Sequence, residues 1–273
     1  MNRKRGIIDI LREESNVTKP PILYKYYSFN KWTKRIFENN EIYFSSPAKL
    51  NDPFDSKINF NNYDVTRTDR KRFYREQSQM SYPGIKRKDI LIREKRIMKQ
   101  GLDLKYIPEG AKKGFIDIRD RMGIFCMTKD KKNILMWSHY TNEHAGFCVG
   151  FRTKNSFFSR AQKIIYGKDL PCINPLDLLE SNRDKMLQKG VDCLLTKAKD
   201  WKYEKEWRIV EIDGVGIKNY PVEALACIIL GCKILPENKK KIIEWCSHRK
   251  SQPDFFEARE KDSEFGLDII PIS

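Results

Sequence analysis

A long basic stretch at residues 66–121 separates two groups of short apolar segments, and this arrangement most constrains the fold. The short segments are rich in β-branched and aromatic residues and are bounded by glycines or turns, as strands are. They lie at 22–27, 41–45, 123–128, 146–151, 163–167, 206–212, 226–231, 255–260 and 267–272. We therefore predict a single domain over residues 1–273, in which a core of 20–65 and 122–273 carries a basic helical insertion at 66–121.

Helices outside the insertion do not alternate strictly with the predicted strands. They are predicted at 1–15, after a capping Asn30, at 175–199 and at 236–250. The helix after Asn30 has Trp32, Ile36 and Phe37 on its apolar face. Strict alternation is typical of doubly wound parallel sheets, so this pattern predicts an α+β fold with a mixed, largely antiparallel sheet.

The chain carries a net charge of +16, and the excess is concentrated in the insertion. Residues 67–113 contain 15 lysines and arginines against six acidic residues. Such a basic surface predicts a polyanionic partner, with nucleic acid as the expected one. The side chains predicted to contact phosphates are Arg70, Lys71, Arg72, Lys86, Arg87 and Lys88. The alternative is a solvated helical face whose charge only aids solubility.

The cysteines and the apolar runs indicate where the protein works. None of the seven cysteines is spaced from another by the two-residue gap of zinc sites, and several lie in apolar runs. Buried free thiols are typical of a reducing cytosol, so we expect a cytoplasmic protein without a metal. The basic start has too short an apolar run for a signal peptide, and no span is long enough to cross a bilayer. We therefore expect no membrane partner.

The segment EIYFSSPAKLNDPFD, residues 41–55, runs from a strand into a loop dense in hydroxyl and carboxylate groups. One interpretation is a turn in which Asn and Asp side chains bond their own backbone. The other is a site, in which the strand end presents Ser45 and Ser46 to a ligand while Asp52 or Asp55 orients a neighbour.

The segment MWSHYTNEH, residues 136–144, holds two of the three histidines of the chain. The five-residue spacing of His139 and His144 puts them on different faces of a helix, so a metal site is not expected. His139 is either packed between Trp137 and Tyr140 or is a polar group that holds or protonates a substrate.

The segment DWKYEKEWRIV, residues 200–210, contains Glu204 and Glu206 with one residue between them. Both carboxylates point to the same face if a strand has begun by Glu204. They either lie on a solvated strand edge with Lys205 and Arg208 as partners, or form a functional pair among the surrounding tryptophans and tyrosine. In the second case desolvation raises their pKa and makes them useful acids, bases or cation stabilisers.

Four segments, in this order, closely resemble the bacterial family catalogued as domain of unknown function 2971. They are LYKYYSF, EIYFSSPAKLNDPFD, MWSHYTNEHAGFCVGF and WKYEKEWRIV. The resemblance covers about residues 22–235, and the basic helices correspond to the variable middle of the family. Members of the family are often linked to mobile elements and phage defence, so the resemblance implies a role of that kind.

The opening ILYKYYSF, followed by a helix and EIYFSSP, also resembles the ADP-ribosyltransferase toxin fold. In that fold a first strand bears His or Arg, a later strand ends in a hydroxyl, and the catalytic Glu is often preceded by another acid two residues earlier. The resemblance puts Lys25 at the first position, a departure from both His and Arg, and Ser45 or Ser46 at the second. It puts Glu204 and Glu206 at the third, with Glu206 as the catalytic one, and implies NAD as cofactor.

The two resemblances, together with the basic insertion, imply an ADP-ribosyltransferase-like enzyme of a defence or toxin system, acting on nucleic acid or a target associated with it. The predicted catalytic residues are Glu206, Glu204, His139 and Ser46. The predicted cofactor contacts are Lys25, Tyr26, Tyr43, Ser45, Asn51, Asp52 and Tyr140. Two alternatives stay open: a non-catalytic nucleic-acid-binding or sensor module, and a magnesium-dependent nuclease. The nuclease would use Asp52, Asp55, Glu204 and Glu206.

Overall fold

Twelve strands and seven helices make up the described part of the chain. A computed structural model describes residues 18–60, 66–99, 109–174, 177 and 183–272, so the helix predicted at 1–15 lies outside the described residues. The strands are β1 Ile22–Tyr27, β2 Glu41–Phe44, β3 Gly123–Thr128, β4 Phe147–Arg152, β5 Gln162–Lys163, β6 Ile165–Gly167, β7 Thr196–Ala198, β8 Glu206–Glu211, β9 Gly216–Asn219, β10 Leu225–Leu230, β11 Asp254–Glu260 and β12 Leu267–Pro271. The helices are α1 Thr33–Glu38, α2 Arg67–Ser81, α3 Arg87–Lys99, α4 Glu109–Arg121, α5 Ile134–Tyr140, α6 Arg183–Leu195 and α7 Pro236–Ser247.

Eight of these strands form one sheet, in the order β12-β11-β10-β4-β1-β3-β8-β5. Within that sheet β10 and β11 are parallel, and the other neighbouring pairs are antiparallel. Two small sheets accompany it, an antiparallel pair of β2 with β9 and a parallel pair of β6 with β7. The predicted α+β fold with a mixed, largely antiparallel sheet is therefore confirmed.

An aromatic cluster forms the centre of the core. Phe151 on β4 stacks on Phe158 at 4.5 Å between ring centroids, and both side chains are fully buried. Phe125 on β3 meets the Phe151 ring edge-on at 6.1 Å, and Tyr220 meets it edge-on at 5.3 Å. Burial of such large apolar rings is the main favourable contribution to folding of a sheet of this kind.

The insertion consists of α2, α3 and α4, which lie between β2 and β3 in the chain. A capping box between Thr66 and Asp69 starts α2. The Nε atom of Arg75 on α2 donates to Glu94 on α3 at 2.6 Å, close to the buried side chain of Tyr74. The first two helices of the insertion therefore pack on each other.

Two helices differ from the sequence prediction. Trp32 is 58% exposed and precedes α1, whose buried residues are Thr33, Ile36 and Phe37. Asn30 lies in the turn before the helix, where its side chain accepts from the backbone of Trp32. The helix predicted at 175–199 is described over 183–195, after which the chain forms β7 and a 3₁₀ helix.

The central strands β1 and β3 separate soon after they meet. Their one paired position is Tyr24 opposite Thr128. Beyond it, the ammonium group of Lys25 donates to the carbonyl of Cys126 at 2.9 Å. A side chain from β1 thus reaches the backbone of β3 where the strands have moved apart, and the gap between them opens into a cleft.

Across the described residues, no helix combines the length and the apolar character that a membrane crossing requires.

Replacing Phe151 with alanine removes the ring at the centre of the aromatic cluster and leaves a cavity. We expect the free energy of unfolding to fall by about 3–5 kcal/mol, measured by urea denaturation. Phe265→Ala is the matched control because that ring is fully exposed, and it should change the value by less than about 0.5 kcal/mol. Equal effects of the two substitutions would show that the cluster does not dominate the core.

Candidate functional site

The cleft between β1 and β3 has a volume of about 230 Å³ and collects residues from the three segments 41–55, 136–144 and 200–210. Ser45 and Asn51 come from the first motif, Tyr140 from the second, and Glu204 and Glu206 from the third. The predicted cofactor contacts Lys25 and Tyr26 also line it. Segments far apart in the chain therefore share one cavity.

A sharp backbone turn brings the two glutamates together. The 3₁₀ helix Lys199–Glu204 ends at Glu204, Lys205 adopts a left-handed conformation with φ of 46°, and β8 begins at Glu206. The strand has therefore not begun at Glu204, so the condition under which the Glu204 and Glu206 carboxylates would point to the same face of a strand is not met. The hydroxyl of Thr128 donates to the carbonyl of Glu204 at 2.5 Å and holds this turn on β3.

A buried lysine, Lys197 on β7, joins the carboxylates. Its Nζ atom lies 2.5 Å from Glu204 Oε2, 3.2 Å from Glu206 Oε2 and 3.7 Å from Asp55 Oδ2. The position between three carboxylates, where a metal ion would bind, thus already holds an ammonium group. Within the described ranges, no group of three or more His, Cys, Asp and Glu side chains is arranged to hold a metal ion.

Arg208, fully buried on β8, completes the network. Its two terminal nitrogens donate to the two carboxylate oxygens of Asp55 at 2.8 and 2.6 Å. Its Nε atom donates to Glu206 Oε1 at 2.6 Å, and Nη1 also donates to the carbonyl of Leu194 at 2.9 Å. The guanidinium group therefore joins the loop of the first motif to β8 and to the end of α6.

The two glutamates differ in their ionisation. Burial opposes ionisation of Glu206, but the charges of Arg208 and Lys197 lower its pKa to about 2. For Glu204, burial raises the pKa, and the nearby Glu206 carboxylate adds to the rise against the opposing charge of Lys197. Glu206 is thus a fixed anion, whereas Glu204 is the carboxyl group better suited to exchange a proton.

Glu204 also has the more direct connection to the open part of the cleft. The Tyr140 hydroxyl donates to Glu204 Oε1 at 2.6 Å and itself accepts from the Asn51 side chain at 3.3 Å. Tyr140 is half-buried, so this chain of groups extends from the buried network towards solvent. The Ser45 hydroxyl, at the end of β2, makes no hydrogen bond to a described residue.

Two other groups of the cleft are chemically distinctive. Burial lowers the pKa of Lys25, even though the carboxylates raise it. Burial raises the pKa of Cys126 to about 12, so the thiol stays protonated and is not a nucleophile at neutral pH.

Four predicted site residues lie outside this cleft. The Ser46 hydroxyl donates to the carbonyl of Asp120 at 2.7 Å, and Asp52 accepts from the backbone of Phe54 at 2.9 Å, as in an Asx turn. Tyr43 is 49% exposed and lines a different groove. His139 is exposed on α5, where its ring centroid lies 6.4 Å from that of Tyr140.

The predicted phosphate contacts of the insertion lie on α2 and around the start of α3. Lys86, Arg87 and Lys88 are exposed. Arg72 pairs with Glu76 at 3.0 Å, and the buried Nε atom of Arg70 has no hydrogen-bond partner in the structure.

Sequence reasoning missed Lys197, and it treated Arg208 only as a partner on a strand edge. The signal that could have found both is composition: three acidic side chains predicted to lie near one another require buried cations to compensate them.

The low pKa of Glu206 gives the network a defined pH dependence. The ordinary value is 4.5 and the folded value is about 2, so the stabilisation is complete above about pH 4.5 and is lost as the pH falls towards 2. We expect the difference in unfolding free energy between the wild type and Glu206→Gln to shrink by about 3 kcal/mol over that interval. Urea denaturation from pH 5 to pH 2 measures it, and a difference independent of pH would contradict the lowered pKa.

Comparison with known proteins gives one family match. Residues 136–209 match the model of a family described as protein of unknown function (DUF2971), which confirms the resemblance on that stretch. No curated protein and no solved structure matches the chain at a significant level. The matched stretch carries Tyr140, Lys197, Glu204, Glu206 and Arg208, which form most of the charged network of the cleft. Over residues 136–209, the chain is therefore similar to the DUF2971 family.

Proposed function

We propose that this chain is an ADP-ribosyltransferase-like enzyme that cleaves the nicotinamide–ribose bond of NAD and passes the ADP-ribosyl group to nucleic acid or a nucleic-acid-associated target. The observation that carries the proposal is the position of Glu204. Its carboxyl group is almost fully buried, is held by Tyr140 and Lys197, and lines a cleft that also contains Ser45 and Asn51.

Breaking the bond to nicotinamide leaves positive charge on the ribose. The electron pair of the bond goes to the nicotinamide ring nitrogen, and an oxocarbenium-like cation develops at C1′ of the ribose. The ionised carboxylate of Glu204 beside that atom stabilises the charge, and a single group placed in this way contributes about 3 kcal/mol. The acceptor then attacks C1′ and releases its proton, for which Glu204 is the available base.

The size of the cleft limits which part of NAD it holds. Its volume of about 230 Å³ is below the ~300 Å³ at the lower end of ordinary ligand pockets. The nicotinamide and its ribose are therefore the part that enters. Ser45 and Asn51 supply neutral hydrogen-bonding groups for the carboxamide and the ribose hydroxyls, and Lys49 at the same cleft supplies a charge for the diphosphate.

The nuclease alternative has less support from the geometry. Magnesium would have to displace the Lys197 ammonium group from between Glu204, Glu206 and Asp55, and Asp52 lies outside the cleft. We place the enzyme in the reducing cytosol, since no disulfide joins its seven cysteines, and in a phage-defence or toxin system, as the family resemblance implies.

Glu204→Gln keeps the shape of the side chain and removes the charge. We expect it to lower the rate of NAD consumption about a hundredfold or more, because the developing cation loses the negative charge of the Glu204 carboxylate. The measurement is release of nicotinamide from labelled NAD, with and without bacterial lysate as the source of acceptor. Glu237→Gln, an exposed glutamate on α7, is the matched control and should leave the rate unchanged.

A wild-type protein that neither consumes NAD nor transfers label would refute the proposal. Metal-stimulated cleavage of RNA or plasmid by that protein would favour the nuclease alternative. Nucleic-acid binding that survives Glu204→Gln, with no turnover, would favour the non-catalytic module.

The Tyr140 hydroxyl lowers the pKa of Glu204 by donating a hydrogen bond to its carboxylate. Tyr140→Phe removes that bond, so more of Glu204 is protonated at a given pH. We expect the acid limb of the rate profile for NAD consumption to move to higher pH, because the charged carboxylate is the active form. Tyr43→Phe, outside the cleft, should leave the limb in place. A limb that stays or moves to lower pH in Tyr140→Phe would exclude Glu204 as the titrating group.

A further inference from the structure

A second cavity, of about 960 Å³, lies beside the cleft and shares with it the short stretch 203–207. Glu204 and Glu206 line the cleft, whereas Tyr203, Lys205 and Trp207 line the second cavity. The 3₁₀ helix that ends at Glu204, the left-handed Lys205 and the start of β8 at Glu206 turn these side chains to different sides, so one stretch serves two cavities. We refer to the second cavity as the lysine groove, after its four lysines: Lys129, Lys163, Lys202 and Lys205.

The charge of the lysine groove is unbalanced. Its lining contains the four lysines and no acidic residue. Lys205 pairs with Asp130 at 2.7 Å, but the other three have no ion-pair partner among the residues that the structure describes. In the cleft, by contrast, Lys197 and Arg208 are matched by carboxylates. Lysines gathered in one concave surface repel each other, and an anionic ligand relieves that repulsion.

The lysine groove also offers flat surfaces. The rings of Tyr166 and Tyr203 are partly exposed and Ile165 is 58% exposed, whereas Trp207 is almost fully buried. Lysines that neutralise phosphates, combined with aromatic rings on which bases stack, form the recognition surface of proteins that bind single-stranded nucleic acid. The volume is near the upper end of the ~300–1,000 Å³ of small-ligand pockets, which suits more than one nucleotide.

A direct contact connects the lysine groove to the reacting groups. The Tyr166 hydroxyl accepts a hydrogen bond from the backbone nitrogen of Glu206 at 2.8 Å. We propose that the lysine groove binds single-stranded nucleic acid and delivers one of its nucleotides to the cleft as the acceptor. The transfer step rests on the proposed function, whereas binding in the lysine groove does not require it.

Charge neutralisation tests the site. The groove variant is Lys129→Gln, Lys163→Gln and Lys202→Gln together, and the matched control is Lys240→Gln, Lys241→Gln and Lys250→Gln, which removes three exposed charges elsewhere. A third variant neutralises Lys86, Arg87 and Lys88 in the insertion. The probes are fluorescein-labelled single-stranded DNA and RNA of about 12 nucleotides, and affinity is followed by fluorescence anisotropy across a series of salt concentrations.

We expect the groove variant to bind at least tenfold more weakly at ~100 mM salt, and the slope of log affinity against log salt to fall by about 2. The control should change affinity less than threefold. Absent binding by the wild type, an equal loss in the control, or a loss confined to the insertion variant would overturn the proposal. Equal affinity for a duplex or for polyglutamate would overturn it as well, since stacking would then contribute nothing.

NAD consumption without nucleic acid separates this proposal from the proposed function. The groove variant should consume NAD as the wild type does, because none of the three substituted lysines lines the cleft. Loss of strand binding in the groove variant, combined with no NAD consumption by the wild type, would reject the transferase and keep the binding site. Consumption of NAD with unchanged strand binding would reject the binding site alone.

Discussion

The buried guanidinium group of Arg208 is the interaction on which the arrangement of the cleft depends. It makes paired hydrogen bonds to Asp55 and another to Glu206, and it lies where no water can replace these partners. Breaking a buried ion pair by removing one partner costs about 3–5 kcal/mol, since an uncompensated charge stays behind. The Arg208 side chain therefore fixes the loop after β2, the strand β8 and the end of α6 relative to one another.

The cleft forms because β1 and β3 separate. Since β1 and β3 pair at a single position, the sheet is open where the next ladder bonds would form, and Lys25 reaches across to the carbonyl of Cys126. An unpaired carbonyl in a buried place is costly, so the lysine has a structural use besides any role in binding.

The sequence was sufficient to predict the strands of the large sheet and its mixed, largely antiparallel class, because short apolar runs bounded by glycines or turns indicate burial. It did not predict β9, and it placed β7 within a helix. It also brought Ser45, Tyr140 and Glu204 into one hypothesis. The sequence could not show which members of each motif face the cleft. Ser45 faces the cleft, whereas Ser46 caps a turn. Tyr140 contacts Glu204, whereas its neighbour His139 faces solvent. Those distinctions depend on backbone dihedral angles and on tertiary contacts with residues far along the chain, and one sequence contains no direct record of either.

The left-handed backbone at Lys205 couples the two cavities. Within 203–207 the acidic side chains line the cleft, whereas the aromatic and basic side chains line the lysine groove. The position of the turn in the sequence therefore decides which residues each cavity receives. Losing or gaining one residue there would displace the left-handed turn from Lys205 and change which side chains face the cleft and which face the lysine groove. The side chains of this stretch can be replaced one at a time, but a change in its length would disrupt the cleft and the lysine groove together.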